Sequence, residues 1–168
     1  MTFELSIEFF PPQTAEGSEK LRTTLAQLAV LKPAFFSVTY GAGGSTRERT
    51  LATVREIASA GYSAAPHLSC IGSTQESIRE LLTSFQAQGI RRIVALRGDL
   101  PSGMADPGEF RYANELVAFI RRETGDAFHL DVAAYPEWHP QAKTPRDDLL
   151  NFKRKMEAGA NAAITQYF

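Results

Sequence analysis

Ser63-Ala-Ala-Pro-His67-Leu-Ser69, then Cys70-Ile-Gly-Ser73-Thr-Gln-Glu76-Ser-Ile78-Arg-Glu-Leu81-Leu82-Thr-Ser-Phe85-Gln-Ala-Gln-Gly89, then Ile90-Arg-Arg92-Ile-Val-Ala-Leu96 reads as a strand over Ser63–Ser69, a helix from Ser73 to Gly89 and a strand over Arg92–Leu96. The two outer segments are short, largely apolar runs. Between them, Ile78, Leu81, Leu82 and Phe85 recur at three- and four-residue spacing and mark one buried helical face. Ser73-Thr-Gln-Glu76 reads as a capping box at the helix start, and Gly89 as its left-handed terminator. Two strands joined through a helix pair in parallel, with a right-handed crossover.

The same unit recurs on both sides, at the roughly 30-residue spacing of a βα repeat. Further strands are expected at Leu5–Phe10, Phe35–Tyr40, His129–Tyr135 and Ala162–Phe168. Helices are expected over Ser18–Leu31, from Ser45 or Thr46 to Gly61, over Pro107–Thr124, and from Thr144-Pro145 to Gly159. Strict alternation implies a parallel sheet, either an open doubly wound one or a closed barrel. The glycine-rich stretch Gly41-Ala-Gly43-Gly44-Ser45 lacks the G-x-G-x-x-G spacing of a dinucleotide-binding doubly wound fold. Successive strands instead end in Glu8, Thr39-Tyr40, His67, Arg97-Gly98-Asp99, Tyr135 and Gln166. Barrel active sites are assembled at that edge. The fold class read from the sequence is therefore α/β, a (β/α)8 TIM barrel. Such barrels usually need ~250 residues. Residues 1–168 are accordingly expected to form one incomplete barrel domain of about six βα units, truncated before strands seven and eight.

Composition narrows the function classes. Hydrophobic residues make up 43% and charged residues 22%, as in globular chains. A formal net charge of −1 lacks the basic footprint of a nucleic-acid or anionic-membrane binder. Cys70 is the one cysteine, so neither an internal disulfide nor a cysteine-based zinc site is available, and no metal is expected. Met1–Glu8 carries two acids and no basic residue, unlike a signal peptide, and no apolar run reaches the ~18 residues of a membrane span. A cytoplasmic protein is expected.

Six blocks then carry a resemblance. Ser6-Ile-Glu8-Phe-Phe-Pro-Pro12, Val38-Thr39-Tyr40-Gly-Ala-Gly-Gly-Ser-Thr46, Pro66-His67-Leu68, Leu96-Arg97-Gly98-Asp99-Leu-Pro101, Ala133-Ala-Tyr135-Pro-Glu-Trp-His139-Pro140 and Ile164-Thr-Gln166 stand in order, each at a strand end. Together they closely resemble the bacterial 5,10-methylenetetrahydrofolate reductases. The resemblance implies a (β/α)8 flavoprotein in which FAD carries a hydride from NADH or NADPH to methylenetetrahydrofolate. The product would be 5-methyltetrahydrofolate, which feeds methionine synthesis. Family members commonly assemble into homo-oligomers, although no interface stripe stands out in the sequence.

The resemblance assigns roles by position. Glu8 matches the general acid that opens the methylene bridge; flanked by Phe9 and Phe10, it is expected to have a raised pKa. On the residues alone, Glu8 could equally be a strand-end carboxylate capping a loop. Arg97, Gly98 and Asp99 match flavin contacts, and Asp99 also meets the folate. Thr39 matches a nicotinamide contact; Tyr40, Ala42 and His67 match flavin contacts. The loop Gly41–Ser45 is expected to offer free amides before a helix. Tyr135, His139, Ala142, Asp148, Asn151, Arg154 and Lys155 match the grip on the ribose, pyrophosphate and adenine of FAD, and Ala113 matches a backbone or packing contact. The last four of the grip residues also suit a solvated helix stripe. Gln166 matches a residue that meets folate and nicotinamide in turn. Competing readings are a flavin barrel of the proline dehydrogenase type and a catalytically incomplete ligand-binding fragment. A lysine Schiff-base aldolase is disfavoured because no expected strand carries an inward lysine.

Overall fold

The computed structural model of the chain describes residues 4–41, 46–99 and 108–165. Expectations placed on Ala42, on Leu100-Pro101, on Pro107 as a helix start and on Gln166 lie outside these residues. Among the described residues, strands and helices alternate without exception: β1 (Ser6–Phe9), α1 (Ala15–Ala29), β2 (Phe35–Val38), α2 (Arg47–Ser59), β3 (Ala64–Ser69), α3 (Gln75–Ala87), β4 (Arg92–Leu96), α4 (Ala113–Thr124), β5 (His129–Ala134), α5 (Pro145–Glu157) and β6 (Ala162–Thr165). The six strands lie in one sheet in chain order, and each neighbouring pair is parallel. These are six βα units of a (β/α)8 barrel, as the sequence implied.

Alternation along each strand divides the sheet into two faces. Phe36 and Val38 of β2, Leu68 of β3, Ile93 and Ala95 of β4, and Leu130 and Val132 of β5 face the helices and form one core with Val54, Ile57, Ile78, Leu82, Phe85, Leu116 and Ile120. The pairings Glu8↔Ser37, Ser37↔Ala65, His67↔Val94, Val94↔Asp131 and Asp131↔Ala162 define the opposite, inner face. That face is unusually polar for a buried surface: Ser37, His67, Ser69 and Asp131 are all buried. At its floor, Arg92 Nε and Nη2 donate to Asp131 Oδ2 and Oδ1 at 2.6 and 3.0 Å. The same guanidinium lies 3.9 Å from the Phe35 ring centroid.

Local signals shift some expected boundaries. Thr14 accepts a hydrogen bond from the Gly17 amide at 3.1 Å, so α1 begins at Ala15 rather than Ser18, and Val30 and Leu31 beyond its end are exposed. The capping box of α3 is displaced by one residue. Thr74 and Ser77 exchange side-chain-to-backbone bonds of 3.1 Å, while Ser73 is held extended in a bridge to Gly108. α4 begins at Ala113, because Phe110 is buried in irregular chain, edge-on to Phe119 with centroids 5.3 Å apart. Glu115 Oε2 then accepts from the Arg111 amide at 2.7 Å at the helix start. The glycine terminators hold: Gly61, Gly89, Gly125 and Gly159 all have positive φ.

Candidate active site

A cavity of about 300 Å³ lies at the carboxyl ends of β4 and β5, closed by the first turns of α4 and by α5. Ten expected residues line it: Arg97, Gly98, Asp99, Ala113, Tyr135, His139, Ala142, Asp148, Asn151 and Lys155. Gly98 sets the turn at the cavity mouth. Its φ is +82°, and any Cβ there would fall 1.9 Å from Ser69 Oγ, so the backbone approaches β3 as only glycine can. The Arg97 carbonyl accepts from Ser69 Oγ at 2.8 Å and from the Ile71 amide at 2.9 Å, which fixes the strand end from behind.

Arg97 is aimed across the cavity. Its Nε donates to the Gly98 carbonyl at 3.1 Å and its Nη2 to Gln141 Oε1 at 2.7 Å. The Gln141 amide donates to His139 Nδ1 at 3.1 Å, which makes Nδ1 an acceptor and leaves Nε2 to carry the proton. Tyr135 and His139 meet edge to face, with centroids 4.5 Å apart. Gln141, Tyr112 and Asn114 are wall residues that sequence reading did not single out. Of their neighbours, His139 stood in a quoted block, while Ala113 and Ala142 entered as positions the resemblance implied.

α5 supplies the remaining wall. Thr144 caps it by accepting from the Asp147 amide at 3.1 Å, and Asp147 Oδ2 accepts from the Thr144 hydroxyl at 2.8 Å. Asp147 is therefore occupied in the cap, while Asp148, Asn151 and Lys155 turn to the cavity. Lys155 Nζ donates to the Ala133 carbonyl. Burial pulls its ammonium below the usual lysine range, against a smaller opposite pull from Asp148. Arg154 does not reach the cavity wall; it is exposed and donates to Asn151 Oδ1 at 2.8 Å.

Glu8 and His67 lie on β1 and β3, and Thr39 and Tyr40 just past the end of β2; of these four, Glu8 and His67 are in contact. Burial raises the Tyr40 hydroxyl above its ordinary range, offset in part by the Arg47 charge. The Thr39 carbonyl accepts from Thr50 Oγ1 at 2.8 Å. The Gly41 amide is not free as expected: it donates to Thr46 Oγ1 at 2.6 Å. Glu8 also departs from expectation. Contact with His67 holds its carboxyl below the usual carboxylate range, although burial pushes the other way. Strand alternation explains this, because Phe9 turns away to stack on Phe36 and Phe10 is 77% exposed, so neither desolvates the carboxyl.

Among the described residues, no group of three or more His, Cys, Asp or Glu could hold a metal, and no strand carries a lysine. No described helix is long and apolar enough to cross a membrane.

The family profile described as methylenetetrahydrofolate reductase matches residues 1–168. The chain belongs to that family. The 5,10-methylenetetrahydrofolate reductase of Escherichia coli K12 is 49% identical over 165 residues, which cover 98% of this chain and 54% of that protein. A protein of Oryza sativa subsp. japonica, named "Probable methylenetetrahydrofolate reductase (NADH)", is 38% identical over 97% of this chain and 30% of its own length. The chain thus spans about half the length of the bacterial relatives it matches. Among solved structures, the carboxyl transferase domain of Rhizobium etli pyruvate carboxylase superposes with a TM-score of 0.59 at 15% identity. That match covers 95% of this chain and 26% of the other, and it speaks to fold alone.

Proposed function

We propose that this chain supplies the cofactor-binding half and the general acid of a methylenetetrahydrofolate reductase. The observation that carries the reading is the cavity between β4 and β5, where ten of the residues expected to grip FAD converge. Its chemistry suits such a ligand. Lys155 provides a cationic donor for a pyrophosphate, Arg97 a planar cation for the ring system, and Tyr135 and His139 flat faces for an aromatic ring. Lys155 is a desolvated ammonium with a single carbonyl acceptor, a state that an anionic ligand would relieve.

Bound FAD would act as the hydride carrier between NADH or NADPH and the folate. The protein's own part is positioning and proton transfer. Arg97 and the Gly98 turn would orient the ring system, Asp99 would receive the donor-rich folate edge, and Thr39 would guide the nicotinamide. Glu8 would donate a proton to the bridge nitrogen so that the methylene group opens before hydride arrives. This reading also carries a place in methionine biosynthesis, a cytoplasmic setting and, for residues 42 and 166, contacts to flavin and to folate.

The test is a visible spectrum of the chain after loading with FAD and desalting, followed by anaerobic NADH. Retained flavin that bleaches supports the cofactor half, and Glu8→Gln should then leave bleaching intact while stopping reoxidation by methylenetetrahydrofolate. Flavin lost both here and in a chain extended to the full length of the relatives would overturn the reading. Reoxidation undiminished in Glu8→Gln would instead favour a different flavin barrel.

A further inference from the structure

The imidazole of His67 is held on the inner face of β3 with its side chain 9% exposed. Its Nε2 is buried, has no aligned hydrogen-bond partner, and stands 3.3 Å from Glu8 Oε2. Two such atoms at this separation need a proton between them. A neutral ring protonated on Nδ1 would turn a lone pair toward a carboxylate lone pair, at a cost that burial magnifies. The proton sits either on Nε2 or on the carboxyl.

We propose that Glu8 and His67 form one proton-sharing pair, in which His67 positions the Glu8 carboxyl and supplies its proton. This inference rests on the reductase reading for the identity of the final proton acceptor. The step balances without any further reactant. An imidazolium Nε2–H passes its proton to Glu8 Oε2, leaving a neutral imidazole and a carboxylic acid; that acid O–H is then given to the folate nitrogen, leaving carboxylate. The net charge of the pair is zero before and after the first transfer, so a proton can cross the contact without creating a buried charge. A carboxyl held below its ordinary range can serve as an acid in this way, because the proton is stored on its neighbour.

Other charged groups on this face are elsewhere engaged or lie beyond the strand ends. Beside the pair, β2 presents Ser37 and, past its end, Tyr40; β4 presents Val94 and, past its end, Arg97 and Asp99. Arg92, His129 and Asp131 cluster on the floor, where the first and last are bound to each other. Helices α2 and α3 pack on the opposite face. Among the described residues, His67 is thus the group that acts on Glu8.

The experiment is a pH titration of the His67 ring by nitrogen-15 NMR in the 168-residue chain, without flavin or folate, beside its Glu8→Gln variant. In the native chain Nε2 should be protonated throughout the neutral range. Replacing His67 with glutamine should raise the proton affinity of Glu8 about tenfold, and by reciprocity Glu8→Gln should be felt in the His67 titration. An unchanged His67 titration in a folded Glu8→Gln chain overturns the proposal. So does a native ring protonated on Nδ1 alone, a result that needs no variant to fold. Because neither readout involves the cofactor, failure of the pair and failure of the reductase reading are distinguishable.

Discussion

Replacing Gly98 with alanine tests the cavity mouth most directly. The new Cβ would lie 1.9 Å from Ser69 Oγ, 3.0 Å from Ser69 Cβ and 3.1 Å from Ile71 Cγ2. Two costs follow. A side chain at φ +82° costs roughly 1–2 kcal/mol, and forcing a methyl into a closed contact costs roughly 1–3 kcal/mol more. Together they amount to about 2–5 kcal/mol, a large part of the ~5–15 kcal/mol by which a domain is stable. Ser69→Ala alone loses the hydroxyl bond to the Arg97 carbonyl, worth about 1 kcal/mol. That same change removes the worst clash, so the double variant should lose about 1–2 kcal/mol less than the two single losses combined. Urea unfolding followed by far-UV circular dichroism measures all three, with an unchanged denaturant slope as the check that the unfolded state is comparable. Flavin retention should fall at least tenfold in Gly98→Ala, since Arg97 and Asp99 flank the displaced turn. A Gly98→Ala chain within about 0.5 kcal/mol of native stability, or strictly additive losses, would refute the close-approach argument.

Asp131→Ala leaves the Arg92 guanidinium without its buried partner and should cost about 3–5 kcal/mol in urea unfolding. Lys155→Met should keep or raise stability at neutral pH while weakening flavin retention, the pattern of a residue kept for function. The sign is fixed: with its folded-state pKa below 10.5, Lys155 binds protons more weakly in the folded chain. Its unfavourable contribution therefore fades as pH rises from the folded-state value toward 10.5. Cys70, buried and pushed up to about 12, should resist Ellman's reagent at pH 8 until the chain unfolds, and immediate reaction in the folded state would contradict its burial.

The sequence made the βα order legible because each helix carries its own period and its own stop. Ile78, Leu81, Leu82 and Phe85 are all buried, and every helix expected to end at glycine does so. The ends of α1 and α4 were less legible. Thr14 can cap as well as any residue nearer Ser18, and the start of α4 depends on Phe110 finding Phe119 across a turn. At the site, the positions that the resemblance implied were found, inside the quoted blocks and on α5 alike, whereas Gln141 was not. Its importance lies in a contact with Arg97, 44 residues away, which no local pattern encodes. The Glu8–His67 contact escaped for the same reason: reading Phe9 and Phe10 as neighbours in sequence mistook them for neighbours of the carboxyl.

The floor of the barrel shows what else one-dimensional reading hides, and how it bears on the site. Arg92 and Asp131 sit in segments that read as plain strands, yet their alternation places both on the inner face. The register sets Arg92 opposite His129 and Val94 opposite Asp131, so the ion pair runs diagonally between β4 and β5. Further along, the same two strands supply cavity wall, Leu96 and Gly98 from β4 and the turn after it, Ala133 and Tyr135 from β5 and its end. A diagonal, two-pronged bond resists sliding of one strand along the other, which apolar packing does less well. Replacing the pair together, Arg92→Met with Asp131→Leu, should recover most of the stability lost in Asp131→Ala, because no charge is left buried alone. If flavin retention stays low despite that recovery, the pair fixes the register that spaces the cavity walls. If retention returns with stability, filling the floor is sufficient and the ion pair adds nothing to the site above it.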